Sequence, residues 1–381
     1  MAQAIGREYR GLSWRGRAVD IDRIEAELTR LRHFAAGEPG GGEGCAVRTS
    51  LVNMVVHAED GETAAQAGHV IEGLAAHHPS RALIVIARPS DDESRIDASL
   101  AAHCHLATGM ERQVCCEEVT LRVSGRAAFH LHSIIVPLLI PDLPVVVWWT
   151  GRLPDKSHLI EELCEVADHL IIDSARFTDQ LGGLSRVRDL GALHDCAIGD
   201  LNFERVRSWR DLVERNTGAS GLGEWLSSVK SAEITFADEA RQTPAQAVLF
   251  LAWLAGHCGW DLSTVSARGS DQFMLRQDER EIPVYLRPVK YEGIDRGWLV
   301  SIKLAFERDG EAALLSLSRT GDPLHVTART ELPDAVHEDH FRIPASDSQT
   351  VLMQQLDTAP HDPEFMRLLI GAAPLIQTAR T

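Results

Sequence analysis

The apolar positions in the first half of the chain predict strands and helices in alternation. Short continuous apolar runs indicate buried strands, and apolar residues three and four positions apart indicate helices. The predicted strands cover residues 49–58, 82–87, 113–125, 143–149 and 169–173, and the predicted helices cover residues 62–78, 126–140 and 155–166. Such alternation favours a largely parallel sheet with right-handed crossovers. We therefore expect a Rossmann-like layered α/β domain over residues 45–175.

The pattern changes after residue 176. Helical spacing dominates residues 176–260, and residues 243–260 are apolar around most of the helix, so other elements must enclose this helix. Short alternating runs separated by Gly, Asp and Pro follow, and they are typical of antiparallel strands. These runs cover residues 281–289, 297–306, 312–319 and 324–330, and two helices are predicted at 346–357 and 363–378. We expect an α+β domain with an antiparallel sheet over residues 176–381.

The first 44 residues differ from both domains. Residues 1–20 are rich in Arg and Gly and show no period, which predicts a mobile arm. Apolar residues then recur at helical spacing, and the glycine-rich stretch 37–44 must end that helix. The residues at helical spacing are Ile21, Ile24, Leu28 and Leu31. Residues 1–44 are therefore predicted to form a flexible arm and an amphipathic helix.

Charge and cysteine content narrow the classes of partner and compartment. The 381 residues contain 38 Lys and Arg against 55 Asp and Glu, which gives a net charge of −17. A surface this acidic repels nucleic-acid phosphates and anionic lipid headgroups, so we expect neither nucleic acid nor a membrane as partner. The seven cysteines show no disulfide framework, and no signal peptide or membrane-spanning run is visible. We expect a soluble cytoplasmic protein.

The motifs of common catalytic sites are missing from the sequence. After the first predicted strand, Glu59 and Asp60 stand where a dinucleotide-binding fold carries its glycine fingerprint. There is also no phosphate loop and no Gly-x-Ser-x-Gly elbow. His103 and His105 would share one face of a strand, yet no third or fourth zinc ligand is identifiable. We therefore predict no catalytic residues, no cofactor and no metal site.

One candidate binding segment is HHPSRALIVIA (77–87), where Pro79 ends a helix before a buried strand. His78, Ser80 and Arg81 come at the entry of that strand. The guanidinium of Arg81 is placed to contact a carboxylate or a phosphate there. The alternative is that Arg81 closes an internal salt bridge.

The second candidate segment is PDLPVVVWWTGRLP (141–154), a strand that ends in Trp148 and Trp149. Adjacent residues of a strand face opposite sides of the sheet. An exposed tryptophan beside Arg152 would anchor a partner protein, because Trp and Arg dominate interface energetics. If helices cover both faces of the sheet, both rings are buried instead.

Cys104 and Cys116 are the candidate redox thiols. Cys116 shares the more polar face of its predicted strand with Glu118 and Thr120, whereas Cys115 lies on the apolar face. The thiolate is the reactive form of cysteine, and polar surroundings favour it over the neutral thiol. The alternative is a packed or merely exposed thiol without a redox role.

The same segments resemble the glucose-6-phosphate dehydrogenase assembly protein family, OpcA. The similar stretches are RTSLVNMVV (48–56), HPSRALIVI (78–86), QVCCEEVTLRVSG (113–125), HSIIVPLLIPDLPVVVWWTG (132–151) and FADEARQTPAQAVLFLAWLAGHCGWDL (236–262). The resemblance implies a non-catalytic allosteric activator that binds glucose-6-phosphate dehydrogenase and promotes its active oligomer in the oxidative pentose phosphate pathway. The alternative is an enzyme or metabolite sensor that binds a sugar-phosphate effector at the sheet edge near Arg81.

Overall fold

Two eight-stranded sheets organise the chain, one mostly parallel and one mostly antiparallel. The computed structural model describes residues 12–35, 50–106, 113–153, 158–219, 221–238, 243–358 and 363–380. The chain divides into two compact units. Unit 1 comprises residues 1–172, 194–198 and 356–361, and unit 2 comprises residues 173–193, 199–355 and 362–381.

The first sheet contains the five strands predicted within residues 45–175 and three further strands. Its strands are β1 (Leu12–Gly16), β2 (Val52–Ala58), β3 (Ser80–Arg88), β4 (Arg95–Leu106), β5 (Gln113–Ser124), β6 (Val145–Trp149), β7 (His169–Ile172) and β8 (Ala197–Asp200). The helices of unit 1 are α1 (Ile21–Ala35), α2 (Gly61–Leu74), α3 (Leu131–Ile135) and α4 (His158–Cys164). The strand order is β1-β4-β5-β3-β2-β6-β7-β8, with parallel pairing from β5 through to β7. β2 is buried along its whole length, which explains why five of its seven residues are apolar.

The prediction of a mobile arm is wrong for residues 12–16. These residues form β1, which pairs antiparallel with β4 from Leu12 opposite Ala102 to Gly16 opposite Ala98. The helix that follows is α1, in which Ile24 and Leu28 are buried. The partner strand of β1 lies far along the chain, so no local pattern predicts the pairing. Residues 17–20 of the predicted arm are also described, and Val19 among them is buried. Residues 1–11 of the arm, and residues 36–44 with the glycine-rich stretch, lie outside the described residues.

Two other elements differ from the sequence expectation. The pattern does not predict β4, because alanine and serine, which have weak strand preference, occupy much of it. The helix predicted over residues 126–140 is broken into a 3-10 turn at Gly125–Phe129, the short α3, and a second 3-10 turn at Val136–Leu138. Pro137 has no backbone N–H to donate, so a continuous α-helix through this segment would lose a hydrogen bond.

The second sheet lies in unit 2 and has the order β10-β11-β12-β9-β13-β14-β15-β16. Its strands are β9 (Val229–Ala237), β10 (Asp261–Ala267), β11 (Gln272–Gln277), β12 (Arg280–Val289), β13 (Leu299–Arg308), β14 (Glu311–Arg319), β15 (His325–Leu332) and β16 (Ala335–Arg342). The remaining helices are α5 (Gln180–Leu193), α6 (Leu201–Glu204), α7 (Arg207–Ala219), α8 (Ala245–Cys258), α9 (Ser348–Asp357), α10 (Glu364–Gly371) and α11 (Ala373–Ala379). Neighbouring strands are antiparallel except β9 and β12, which run parallel. The predicted fold class is therefore confirmed.

The helix α8 occupies the interior of unit 2. Most of its side chains are buried, as the apolar circumference of residues 243–260 predicts. Among the helices that the structure describes, none has the length and apolar character required to cross a membrane.

Candidate functional site

The strands β2 and β6 meet at the topological switch point of the first sheet. The chain continues from β2 to β3 on one side, and β6 later joins β2 on the other side. In open α/β sheets, ligands bind in the crevice outside the carboxyl ends of the strands at this point. A ligand site of the usual α/β kind would therefore lie beyond Ala58 and Trp149.

Side chains of the protein itself fill this crevice. The indole of Trp149 stacks on the imidazole of His57, with ring centroids 3.8 Å apart and 9° between the planes. The indole Nε1 donates a hydrogen bond to the carbonyl oxygen of Arg152 at 3.1 Å, and Oγ1 of Thr150 donates to the carbonyl oxygen of His57 at 2.9 Å. Burial lowers the pKa of His57 to about 4, so the stacked imidazole is neutral at physiological pH.

A carboxylate closes the same crevice from the turn after β2. Oε1 of Glu59 accepts a hydrogen bond from the backbone N–H of Arg152 at 2.8 Å, and a Cβ added to Gly151 would lie 2.5 Å from Cγ of Glu59. Asp60 caps α2 by accepting from the N–H of Thr63 at 2.8 Å. A phosphate at this helix N-terminus would have to displace the cap and approach two negative charges. The crevice is therefore unsuited to a dinucleotide.

The structure corrects the prediction of an exposed tryptophan anchor. Trp148 and Trp149 are 5% and 2% exposed, because β6 is a central strand with both faces covered. A hot-spot residue must be accessible to its partner, so neither ring is available to one. Arg152 differs from the tryptophans, since its side chain is 68% exposed and its Nε lies 3.6 Å from Oε1 of Glu59.

Arg81, at the start of β3, has internal partners. Its Nε donates to Oε2 of Glu117 at 2.9 Å, and its Nη1 donates to the carbonyl oxygen of Leu138 at 2.6 Å and to Oε1 of Glu25 at 3.1 Å. The side chain is 3% exposed. The predicted contact with an external anion is therefore wrong for Arg81, and the internal salt bridge is the correct alternative.

His78 and Ser80 do not complete an anion site beside Arg81. Ser80 is buried, and Nε2 of His78 lies 3.0 Å from Oδ1 of Asp357, which also belongs to unit 1. A carboxylate against His78 disfavours an approaching anion. The sugar-phosphate site at this sheet edge is therefore not supported by the geometry.

Of the two predicted redox thiols, the structure describes the side chain of Cys116, which is not accessible. Cys116 is buried, and burial raises the pKa of its thiol, which lowers its reactivity. The side chain of Cys104 lies outside the described residues. Unit 1 contains another cysteine contact, in which the thiols of Cys164 and Cys196 hydrogen-bond to each other. No spacing in the sequence predicts this contact. That hydrogen bond, together with burial, raises the pKa of Cys164.

A buried acidic cluster in unit 2 lies at the carboxyl ends of β7 and β8. Asp200 accepts hydrogen bonds from the N–H of Ser174 at 2.9 Å, from its hydroxyl at 2.5 Å, and from the N–H of Asn202 at 2.9 Å. Arg205 pairs with both carboxylate oxygens of Asp173 at 2.7 and 2.8 Å. Burial, and then the charge of Asp173, raise the pKa of Asp200 to about 7. The only sequence signal is an aspartate at the end of each short strand: Asp173 directly follows β7, and Asp200 is the last residue of β8.

No metal centre is apparent in the part of the chain that the structure describes. Within it, no three His, Cys, Asp or Glu side chains are grouped closely enough to hold an ion.

Solved structures with a related shape are distant from this chain. An NAD binding oxidoreductase from Klebsiella pneumoniae matches 87% of this chain and 98% of its own with a TM-score of 0.46 and 8% identity. Apo scyllo-inositol dehydrogenase from Lactobacillus casei matches 88% of this chain and 97% of its own with a TM-score of 0.41 and 10% identity. Similarity at this level carries no conclusion about function.

Curated relatives are found among cyanobacterial proteins. A protein of Synechococcus elongatus with the name "Putative OxPP cycle protein OpcA" is 27% identical over 257 residues, which cover 65% of this chain and 56% of the relative. A protein of the same name from Nostoc punctiforme is 26% identical over 287 residues, which cover 73% of this chain and 58% of the relative. The chain thus spans just over half the length of the curated relatives it matches.

Two models of one family match consecutive parts of the chain. The N-terminal domain of the family described as glucose-6-phosphate dehydrogenase subunit matches residues 71–189, and the C-terminal domain of the same family matches residues 196–369. Together they cover most of the sequence, in the order of the two family domains. The chain therefore belongs to the glucose-6-phosphate dehydrogenase assembly family, OpcA.

Proposed function

We propose that this chain is a non-catalytic, cytoplasmic activator that binds glucose-6-phosphate dehydrogenase and promotes its active oligomer. The observation that carries the proposal is the match of both family domains, whose descriptions name a subunit of that dehydrogenase. The printed name of the curated relatives, which refers to the OxPP cycle, supports the same metabolic setting.

The geometry of the switch point supports a role without catalysis. A nicotinamide cofactor at this crevice would have to displace the stacked rings of His57 and Trp149. It would also bring its phosphates toward the carboxylates of Glu59 and Asp60. Because like charges and an occupied crevice both oppose binding, the first sheet serves here as a rigid body that presents its surface.

Activation requires a difference in affinity between states of the target. A protein that binds the active oligomer of the dehydrogenase more tightly than its other states shifts the population toward that oligomer. A tenfold difference in affinity supplies about 1.4 kcal/mol for the shift. Equal affinity for all states would leave the dehydrogenase unchanged, however tightly the two proteins bind.

The test mixes the purified chain with its cognate dehydrogenase. NADPH formation is followed over a range of glucose 6-phosphate concentrations, and oligomer size is measured on the same samples by mass photometry. We expect faster NADPH formation together with a larger share of the active oligomer. The chain alone, given substrate and NADP, should form no NADPH. An unchanged rate and an unchanged oligomer distribution would refute the proposal.

Arg152 remains the predicted contact with the dehydrogenase on unit 1, because its side chain is exposed whereas Trp148 and Trp149 are buried. Arg152→Ala should weaken activation without changing thermal unfolding. Arg126→Ala is the matched control, since Arg126 is also an exposed arginine of unit 1. Full activation by Arg152→Ala would locate the interface elsewhere. Trp149→Ala is not a usable probe, because removal of a buried indole disturbs the fold itself.

A further inference from the structure

The second sheet has one face covered by helices and one face open to solvent. On the covered face, Ile234, Leu304 and Leu315 are completely buried. On the opposite face, the residues that the strand register aligns in three rows are half-buried or exposed, except Thr235, which is buried. This second set is available for contact with another molecule.

The strand register arranges the residues of this face in three rows that cross the sheet. The first row is Tyr285, Glu233, Lys303, Ser316, Arg329 and Glu338. The second row is Arg287, Thr235, Ser301, Ser318, Thr327 and His340. The third row is Ser231, Ala305, Leu314, Glu331 and Val336. We call these three rows the open face.

Short side chains form one outer row of the open face, beside the central row that contains Glu233 and Lys303. Four consecutive strands contribute only serine or threonine to the second row, and Oγ1 of Thr235 lies 2.7 Å from Oγ of Ser301. Along this outer row, short side chains let a second sheet approach to the usual separation of about 10 Å. In the central row, contact with another surface depends on how its charged side chains are matched.

The charges of the open face balance, although the whole chain carries −17. Its six charged residues are the cations Arg287, Lys303 and Arg329 and the carboxylates Glu233, Glu331 and Glu338. Glu233 lies 2.7 Å from Arg287 and 3.8 Å from Lys303, and Arg329 lies 2.7 Å from Glu331 and 3.4 Å from Glu338. A neutral face lets two strongly acidic molecules approach each other there without local repulsion.

The size of the open face matches the requirement of a specific interface. Six strands about 4.8 Å apart and three rows about 7 Å apart cover about 600 Å² in projection. Two such faces bury about 1,200 Å², which is the lower end of the range for stable specific complexes.

The arrangement of charges is self-complementary about one particular two-fold axis. An axis that lies in the interface, parallel to the strands and between β13 and β14, exchanges the two ends of the first row and the two ends of the second row. Glu233 of one copy then faces Arg329 of the other, and Lys303 faces Ser316. No two carboxylates and no arginine–lysine pair meet in this arrangement. An isologous dimer needs this kind of self-complementary surface.

We propose that the open face is the interface of a symmetric dimer of this chain, with the open faces of two copies packed against each other. This inference is independent of the role in dehydrogenase activation.

The test exploits the predicted contact between Lys303 and Ser316 of the second copy. Ser316→Arg places a cation opposite Lys303 twice in each dimer, and Ser316→Glu places a carboxylate there. Sedimentation of the full chain over a wide concentration range measures the dimer dissociation constant. We expect Ser316→Arg to weaken the dimer at least about 100-fold, because like charges across an interface cost several kcal/mol. Ser316→Glu should dimerise at least as tightly as the wild type.

Ser270→Arg is the matched control, because Ser270 is exposed and lies between β10 and β11, outside the three rows. It should leave the dimer unchanged. If Ser316→Arg does not fold, Arg329→Glu replaces it: this variant sets carboxylate against Glu233 of the second copy, and the added change Glu233→Arg should restore dimerisation.

The proposal is overturned if the wild type is monomeric at every concentration. It is also overturned if Ser316→Arg and Ser316→Glu dimerise equally well. A monomeric wild type whose binding to the dehydrogenase is abolished by Ser316→Arg would assign the open face to the dehydrogenase instead.

Discussion

The two sheets of this protein treat charge in opposite ways. In the first sheet, Arg81 and Glu117 form an ion pair whose side chains are 3% and 6% exposed. In the second sheet, Glu233 and Lys303 pair on the open face with side chains 25% and 53% exposed. The same type of contact therefore has two uses in this protein. Where both faces of a sheet are covered, an ion pair fixes the interior, and where one face is open, it shapes a surface for recognition.

The largest expected effect concerns the buried ion pair of the first sheet. Arg81→Ala leaves the carboxylate of Glu117 buried without its partner in β3, which should reduce the free energy of unfolding of unit 1 by about 3–5 kcal/mol. Urea unfolding of the full chain measures the change. A loss below about 1 kcal/mol would mean that water reaches Glu117 and that the first sheet is less closed than its burial indicates.

The two units should also respond oppositely to pH. The pKa of Asp200 is raised to about 7 from an ordinary value of 3.8, so unit 2 should lose stability as pH rises between about 4 and 7. The pKa of His57 is lowered to about 4 from 6.5, so unit 1 should lose stability as pH falls from 6.5 to about 4. Each change should amount to a few kcal/mol, on the order of 1.4 kcal/mol per unit of pKa difference.

Variants that cannot titrate separate the two contributions. Asp200→Asn should remove the loss in unit 2, and His57→Gln should remove the loss in unit 1. The unfolding transition that Arg81→Ala shifts identifies unit 1. A stability profile of unit 2 that is unaltered in Asp200→Asn would show that other groups control its pH dependence.

A smaller effect is expected at the filled switch point. Gly151→Ala would place a Cβ 2.5 Å from Cγ of Glu59, and overpacking of this kind costs about 1–3 kcal/mol. The double variant Glu59→Ala with Gly151→Ala should recover most of the loss. Gly256→Ala, in α8, has no atom within 4 Å of the added Cβ and should instead stabilise unit 2 by about 0.4–1 kcal/mol. Destabilisation by both single variants would point to a general intolerance of glycine replacement.

The smallest effect is the counterpart of the first. Lys303→Ala removes a half-exposed ion pair on the open face, and Glu233 keeps its contact with Arg287 at 2.7 Å. The free energy of unfolding of unit 2 should change by less than about 1 kcal/mol. A loss as large as that of Arg81→Ala would erase the energetic distinction between the two sheets.

The sequence predicts those elements whose own residues show the apolar pattern of a buried strand or helix. β2 reads as a strand because five of the seven residues of Val52–Ala58 are apolar, and α8 reads as an enclosed helix because its circumference is apolar. β4 escapes prediction because its stability comes from pairing with β1 and β5 rather than from strand-forming residues. Local pattern therefore predicts the covered centre of each unit better than its edges.

Candidate site residues are harder to interpret because their partners are remote in sequence. Arg81 acquires Glu25, Glu117 and Leu138 as partners, and no local spacing signals any of them. The tryptophans of β6 are buried because β2 and β7 flank the strand and both faces are covered, which two adjacent indoles cannot reveal. The charge pattern of the open face becomes visible only when the strand register brings its rows together.

The position of β9 has a consequence for synthesis on the ribosome. β9 lies between β12 and β13, although α8 and three strands separate it from β13 along the chain. The central strands of the second sheet therefore cannot all pair until β13 has left the exit tunnel of the ribosome. In the first sheet, by contrast, the paired strands β2 and β3 are consecutive strands of the chain. Because non-local pairings slow folding, we expect the nascent chain to fold its N-terminal sheet first. We also expect it to depend on chaperones as long as β9 is unpaired, that is, until β12 and β13 have been synthesised.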